Sequence, residues 1–395
     1  MSTWYIVILI ALAFFLVVPG IGAFAVRRQW RRFRSGVVEA SLRPTVTYAT
    51  LARLRREAPA DRRGEATISG ADAGMFRFFG QLEAIEDDDV IWLNDGTISV
   101  AADVASKVAY LLPSAGAEAG YGRTYPEATP DRLAWSRLTS LPERTPVFVS
   151  GRLELEGGRP VFRAEGREGL LLILFEGPER ELLRHSVWTG RQRNEYWNPL
   201  TPVSLAVGSL ALLLSAFFLF RLPADRGAAI LSASAALAPL LPFLPPGFVT
   251  FPLYRRLWRY GRFLRAERDL LRLPTRHDFD DQGRAHLPDG ELYLWREVDA
   301  GAADTLATRG ARSLDVTVAD GSSVYHAFGV PDGEELGTPD DPMSEFVVVP
   351  GHPDELARTS QKLAQRYELG SLGLLLLGVG VNFYILLLLT SRLLF

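Results

Sequence analysis

The chain has 395 residues, a formal net charge of −3, a 48% share of hydrophobic residues and no cysteine. The charge excludes the strong basic field that a general nucleic-acid binder needs. The missing cysteine excludes disulfides, thiolate zinc sites, iron–sulfur clusters and a cysteine nucleophile.

The hydrophobic excess falls into separate blocks. The first, Trp4 to Val26, contains no charged side chain. At ~1.5 Å per residue it reaches roughly 35 Å, enough for a ~30 Å hydrocarbon core. Arg27, Arg28, Arg31, Arg32 and Arg34 follow at once. Ala23-Phe24-Ala25 resembles a signal-peptide cleavage site, but Met1 to Thr3 carry no positive side chain and the arginines lie on the wrong side of the apolar stretch. The block therefore reads as an uncleaved membrane anchor.

Residues 27–199 form a first soluble segment, β-rich with an appended helix. Phe76 to Ala84 and Val90 to Leu93 read as strands, and Asn94-Asp95-Gly96 as a tight turn into Thr97 to Ala101. The acidic run Glu86-Asp87-Asp88-Asp89 lacks the spacing of a calcium loop and reads as a hairpin turn. A short helix is expected over Asp103 to Leu112, then a Gly/Ala/Pro-rich loop, Pro113 to Pro130. Val147 to Leu155 and Pro160 to Ala164 form a second hairpin about Gly157-Gly158; Leu170 to Phe175 is a buried strand, and a helix runs from Pro178 to about Arg193. Phe79-Gly80-Gln81-Leu82-Glu83 and Ser150-Gly151-Arg152-Leu153-Glu154 echo each other, each with a glycine inside a strand. Strands bent in this way turn the corners of small barrels, so an OB-like or related small β-barrel is expected.

The next blocks are 200–222 and 227–253, joined by the short link Arg221 to Arg226 into a hairpin of spans. The later one carries Pro239, Pro242, Pro245, Pro246 and Pro252, so it is expected to be broken. A second soluble segment, 254–368, opens with a basic helical stretch, Tyr254 to Arg276, suited to an anionic membrane surface. Strands are expected at Glu291 to Val298, Leu314 to Val318, Ser323 to Phe328 and Phe346 to Val349, with an acidic loop from Pro331 to Pro342. The last block is 369–389.

The fold class expected is an α+β membrane protein: four transmembrane helices and two β-rich domains on one face, of OB-like or small-barrel type. Arginine asymmetry sets the orientation. Arg180, Arg184, Arg191 and Arg193 precede the second span, and the stretch Arg255 to Arg276 and then Arg358, Lys362 and Arg366 fall on the same side. Only Arg221, Arg226 and Arg392 face the other. By the positive-inside rule both soluble segments face the cytoplasm, in a bacterium from the inner membrane. Arg27, Arg28, Tyr196, Trp197, Arg255, Arg256, Trp258 and Arg259 are the expected membrane-interface residues.

The ends of the two soluble segments resemble each other. Gly177, Glu181, Leu182, Arg184 and Ser186 match Gly351, Glu355, Leu356, Arg358 and Ser360 without a gap. In both places a strand precedes and a span follows, which suggests a duplicated unit. The order of Pro146-Val147-Phe148-Val149-Ser150-Gly151-Arg152-Leu153-Glu154, the strand Leu170 to Phe175, the helix from Pro178 and the span after Trp197 resembles the GIDE-type membrane module of the mitochondrial ubiquitin ligase activator family and its bacterial relatives. Members of that family add a zinc-binding RING for ligase activity; with no cysteine here, none of that activity carries over.

No phosphate-binding, dinucleotide, zinc-protease or nucleophile-elbow motif occurs. His277-Asp278-Phe279-Asp280-Asp281 with His286 is the densest group of metal-ligand types, and nearby Gly283 and Pro288 make it a solvated loop. No catalytic, cofactor-binding or metal residue is assigned, and no cofactor is expected. The reading is a membrane scaffold or adaptor without evident catalysis. Its partners would be the bilayer and a protein or a second copy, not nucleic acid. The alternatives are a transport subunit built on the proline-broken hairpin and a membrane enzyme with an unrecognised site.

Overall fold

The computed structural model describes residues 3–57, 74–113, 129–138, 140–164, 169–314, 316–317 and 324–394. The expected loop Pro113 to Pro130 and the expected turn Asp320-Gly321 lie almost wholly outside them. Helices in chain order are α1 (Thr3–Leu12), α2 (Val18–Ser41), α3 (Tyr48–Glu57), α4 (Glu179–Gln192), α5 (Leu200–Leu219), α6 (Arg226–Ala236), α7 (Gly247–Leu271), α8 (Ala300–Thr308) and α9 (Pro353–Leu394). Strands β1 (Met75–Glu86), β2 (Val90–Asn94), β3 (Ser99–Asp103), β4 (Val108–Leu112), β5 (Asp131–Ala134), β6 (Pro146–Glu156), β7 (Arg159–Arg163) and β8 (Leu171–Phe175) belong to one sheet. Strands β9 (Arg284–His286), β10 (Leu292–Asp299), β11 (Arg312–Ser313), β12 (Val324–Asp332), β13 (Glu335–Gly337) and β14 (Val347–Pro350) belong to another. The chain divides into two compact units: Met1–Arg31, Arg193–Arg265 and Gln361–Phe395, and separately Arg32–Gln192 with Ala266–Ser360.

The first unit is helical and apolar. Among the described residues three helices are long and apolar enough to cross a membrane, Thr3–Ser41, Leu200–Leu219 and Pro353–Arg392. That corrects the expectation of four. The block at 227–253 is α6, a 3-10 stretch Ala238–Phe243 and the start of α7, because its prolines remove the amides a continuous helix needs. Leu9, Ile21, Phe24, Leu210, Phe218 and Leu376 expose large apolar surface, a pattern suited to lipid and costly in water.

Polar side chains repair the breaks. Pro19 has no N–H for the Phe15 carbonyl, and the Tyr196 hydroxyl donates to that carbonyl at 2.9 Å instead. Ser204 donates to the carbonyl of Phe14 at 2.6 Å. Pro245 likewise cannot give the Leu241 carbonyl an α-helical donor, and that carbonyl accepts the longer 3-10 bond from the Leu244 amide at 3.3 Å. Asn382 Nδ2, in the C-terminal half of α9, donates to Leu241 O at 2.6 Å and Leu244 O at 2.8 Å.

The broken segment runs beside α9 from end to end. Ser234 bonds Thr390 at 3.4 Å, Asn382 caps the break, Tyr260 meets Tyr367 with ring centroids 4.6 Å apart, and Arg265 pairs with Glu368. Thr390 to Glu368 along α9 is roughly 33 Å, a bilayer's hydrocarbon depth.

In the second unit, β1, β2, β3, β7 and β6 close into a barrel through the β1–β6 pairing, and β8, β4 and β5 extend the sheet from β6. The two echoing glycine segments lie where strands change partner. β1 pairs β6 up to Gln81 and β2 from Gln81 onward; β6 pairs β1 up to Arg152 and β7 from Arg152 onward. The helix expected over Asp103 to Leu112 is instead a turn and strand β4: the apolar run Val108 to Leu112 is claimed by parallel pairing to β8. The acidic run Glu86 to Asp89 forms the β1–β2 turn, with Asp87 and Asp88 at positive φ.

The second sheet stays open, in the order β11-β14-β12-β10-β9, which corrects the expectation that both domains are small barrels. The physical reason is local. Between β1 and β4 the first sheet carries the hairpin β2–β3, whereas between β10 and β11 the chain forms α8, capped by Asp299, whose carboxylate accepts the Ala302 amide at 2.8 Å. With no hairpin there, nothing bridges the two edges. The strand expected at Leu314 to Val318 is not formed by its described residues, Leu314, Val316 and Thr317; the strand of this region is β11, Arg312–Ser313, and Asp315 and Val318 lie outside the described residues.

The two sheets nevertheless share a core. The order β1-β6-β8-β4 is repeated by β10-β12-β14-β11: antiparallel, antiparallel, then parallel in each case, with a hairpin strand, β7 or β13, returning along the central strand. A Cβ on Gly151 of β6 would meet Leu170 at 2.7 Å and the Arg163 carbonyl oxygen at 2.9 Å. A Cβ on Gly329 of β12 would meet the Gly337 carbonyl oxygen at 2.7 Å and Phe346 at 2.9 Å. The neighbours correspond: the last residue of the hairpin strand, and the residue just before β8 or β14. Helices follow with Leu182, Leu183 and Ser186 buried in one copy and Leu356, Ala357 and Ser360 in the other. These matches support the duplicated unit.

Gly151→Ala and Gly329→Ala should each destabilise the protein by about 1–3 kcal/mol, because backbone oxygens cannot step aside. Thermal unfolding of each full-length variant in mild detergent measures this. Wild-type stability in either would show that the close approach is relaxed.

Candidate functional site

Two polar features stand out in the second unit: a buried charge cluster and an open cleft next to it. The cluster starts at Arg77, in the middle of the apolar stretch of β1 and 1% exposed. Its guanidinium donates to Thr45 Oγ1 at 3.1 Å, to the Ser41 carbonyl at 3.2 Å and to Asp341, itself buried. Asp341 also accepts from the Met343 amide and the Ser344 hydroxyl. Arg276 donates to Ser41 Oγ at 3.0 Å and to the carbonyl oxygens of Leu273 and Met343, each at 2.7 Å. Arg184 faces Glu345 at 3.2 Å, and the Tyr293 hydroxyl donates to the Glu345 carbonyl at 2.6 Å. The loop 341–345 is thus held by Arg77 from β1, Arg184 from α4 and Arg276 from the 3-10 turn Pro274–Arg276 that follows α7.

Burial dominates the titration of this cluster. It raises the Glu345 carboxyl above the usual range, although Arg184 and Arg276 oppose the shift. It lowers His277 to about 3, helped by Arg276 and Arg77, so that ring stays neutral and packs on Tyr293 with centroids 5.1 Å apart. Most of the donors here are committed to fixed acceptors. That describes a structural joint between the two sheets.

The cleft is different. It has a volume of ≈ 790 Å³ and lies over the middle of β1, the β2–β3 turn and the strap that leads into β6. Glu83, Asp95, Glu143 and Glu179 line it against a single cation, Arg144. Asp95 is used by its own turn, accepting from the amides of Thr97 and Ile98, and Glu83 accepts from Ser99 at 2.9 Å. Arg144 sits in the left-handed region, φ 64°, with its amide bonded to the Leu82 carbonyl at 2.9 Å. A non-glycine residue there marks a turn held by its surroundings.

Glu179, first residue of α4, supplies the unspent group. Its Oε1 is buried and has no hydrogen-bond partner among the described residues. Burial pushes its carboxyl up to about 7; Arg77 opposes this, and Asp341 and Asp95 add to it. A cationic group placed against Glu179 would replace the missing partner and favour the ionised form.

The expected interface residues lie elsewhere, in the helical unit. Arg27 pairs with Glu195 at 2.9 Å, Tyr196 donates to Phe15, and Trp197 is 62% exposed. Arg255, Arg256 and Arg259 are exposed on α7, and Arg262 lies over the Trp258 ring at 5.4 Å. His277 and Asp280, singled out in the sequence as one group, separate: His277 is buried on Tyr293, while Asp280 is exposed and caps a turn through the amides of Gln282 and Arg284. The carbonyls that a broken span could offer an ion, at Leu241 and Leu244, are taken by Asn382.

The sequence reading missed Arg77 and Glu179. A signal for the first existed, an arginine flanked by Phe76, Phe78 and Phe79 in a strand. Glu179 looks like any first-turn acid of a helix, and its burial depends on the folded barrel.

Fold and site together define a mixed α+β protein with long apolar helices, one closed five-strand barrel-like sheet and one open sheet. Comparison with protein-family models, curated proteins and solved structures returns no match. The resemblance of residues 146–199 to the GIDE-type module therefore stands on its residues alone.

Asp341→Leu should cost about 3–5 kcal/mol by leaving Arg77 buried without its counter-ion, and Arg77→Met/Asp341→Leu should recover most of that loss. Denaturant unfolding of the full-length protein tests this. Single and double variants of equal stability would show that the pair does not couple the sheets.

Proposed function

We propose that this chain is a membrane-anchored adaptor whose barrel presents an acidic cleft to a cationic side chain or amine of a protein partner. The observation that carries the reading is Glu179: a cleft carboxyl whose buried Oε1 has no hydrogen-bond partner among the described residues, beside further carboxylates. Buried polar atoms are rarely left unmet, and a lysine, arginine or amino terminus would meet this one.

The strand order β1-β2-β3-β7-β6, with β3 and β7 parallel, supports reading the barrel as OB-type. The cleft lies at the β2–β3 turn, away from the β1–β2 and β6–β7 loops where such barrels take oligonucleotides, and its charge has the wrong sign for phosphates.

Orientation belongs to the same proposal. Residues 32–192 and 266–360 fold as one unit, so they occupy one side of any membrane. With α5 as a span, the segment 226–265 would carry the chain back, and its contacts with α9 between Tyr367 and Thr390 support that return. The arginine distribution places the folded unit in the cytoplasm, and in a bacterium the membrane is the inner one.

The test uses full-length protein in detergent and short fluorescent peptides, one arginine-rich and one with glutamate in place of arginine. The arginine peptide should bind, and its affinity should rise across about pH 6–8 as Glu179 ionises, since the charged carboxylate is the form that attracts it. Glu179→Gln should weaken binding about tenfold at the upper end and flatten the pH dependence. Equal binding of both peptides, or an unchanged pH profile in Glu179→Gln, would contradict the reading.

A further inference from the structure

We propose that the chain carries two equivalent sites for the phosphodiester of an anionic phospholipid, built on a repeated motif. Arg27-Arg28-x-Trp30-Arg31 in α2 and Arg255-Arg256-x-Trp258-Arg259 in α7 match without a gap, and the match continues at Arg34 with Arg262 and Glu39 with Glu267. Each motif occupies the same place in the duplicated order: after an apolar segment, on an arginine-rich helix, before a sheet with the shared strand order. The proposal is independent of the acidic cleft.

The spacing has a physical use. On a helix, residues four apart lie on one face, and the residue between, one position on, is turned by only ~100°. Arg27, Arg28 and Arg31 therefore converge on one sector, as do Arg255, Arg256 and Arg259, and all six are exposed. Guanidinium forks match phosphate oxygens in pairs, which a lysine ammonium cannot do. On the flank of that sector sits a tryptophan: Trp30 is 3% exposed with Arg193 over its ring at 5.9 Å, and Trp258 is half-buried with Arg262 over its ring at 5.4 Å. An indole packed in this way fixes the rotation of the helix, so the arginines are held on its outward sector.

Charge alone would orient the protein in a membrane, and for that purpose arginines could stand in any order. The same order twice, with the same residue at the indole position, is more than orientation requires. The occupant is a lipid rather than a soluble phosphate because each motif directly follows an apolar segment, Trp4 to Val26 or Gly247 to Leu253.

The experiment is native mass spectrometry of the full-length protein released from detergent in the presence of phosphatidylglycerol or phosphatidylcholine. Wild type should retain phosphatidylglycerol in preference, at two sites. Replacing Arg27, Arg28 and Arg31 by Gln should remove one site, replacing Arg255, Arg256 and Arg259 by Gln the other, and millimolar inorganic phosphate should displace neither. Because the glutamine variants also weaken the orientation signal, Arg→Lys versions of both triads are measured alongside. These keep the charge and should bind about tenfold more weakly. Wild-type retention in the lysine versions would overturn the built site in favour of diffuse attraction. No preference for the anionic lipid would overturn it outright, and displacement by inorganic phosphate would overturn the assignment to lipid.

Discussion

The pairing of Arg77 with Asp341 is the contact on which the rest of the molecule turns. One partner lies in the first sheet and the other in a loop of the second, and both are almost fully buried. Removing such charges from water is costly unless each finds its counter-charge and further hydrogen bonds. Thr45, Ser41, Met343 and Ser344 supply those bonds. The joint is therefore satisfied only when both segments are folded against each other. Segments that must meet in this way cannot lie on opposite faces of a bilayer. The chain between them contains the apolar helix α5 and a broken segment braced by Asn382.

The shared strand order gives that arrangement a simple origin. One unit, comprising an apolar segment, an arginine helix, a small sheet and a helix leading into a span, fits the chain twice. The copies differ where function would be added. The first has the hairpin β2–β3, which closes a barrel and forms one wall of the cleft; the second has α8. Pro353 begins α9 where Glu179 begins α4, so the second copy lacks the cleft carboxylate. Retained features are the packing glycines Gly151 and Gly329 and the arginine–tryptophan motif.

Much of the fold was legible in the sequence because its signals are local. Alternation and turn residues mark β1, β2, β6, β7, β12 and β14, and Gly80 and Gly151 mark the points where strands change partner. The run Val108 to Leu112 was misread because its pairing partner, β8, lies far along the chain and no local period distinguishes helix from strand over so short a stretch. The open second sheet was not legible, since closure depends on a hairpin whose absence looks only like an alanine-rich stretch. The site was less visible still. Arg77 announces itself as a charge among phenylalanines, but Glu179 gains its meaning from a cleft assembled by β1, β2 and the strap at Arg144.

The central claim is that the two soluble segments, joined through Arg77 and Asp341, share one side of the membrane. Single cysteines placed at Ser136, Ala224 and Thr308 in this cysteine-free chain, probed on intact cells with a membrane-impermeant thiol reagent, test it most directly. All three replaced positions are exposed on their own elements. The account predicts labelling of Ala224→Cys and protection of Ser136→Cys and Thr308→Cys until the membrane is opened. Labelling of one of Ser136→Cys and Thr308→Cys without the other would place the two segments on opposite sides and contradict it.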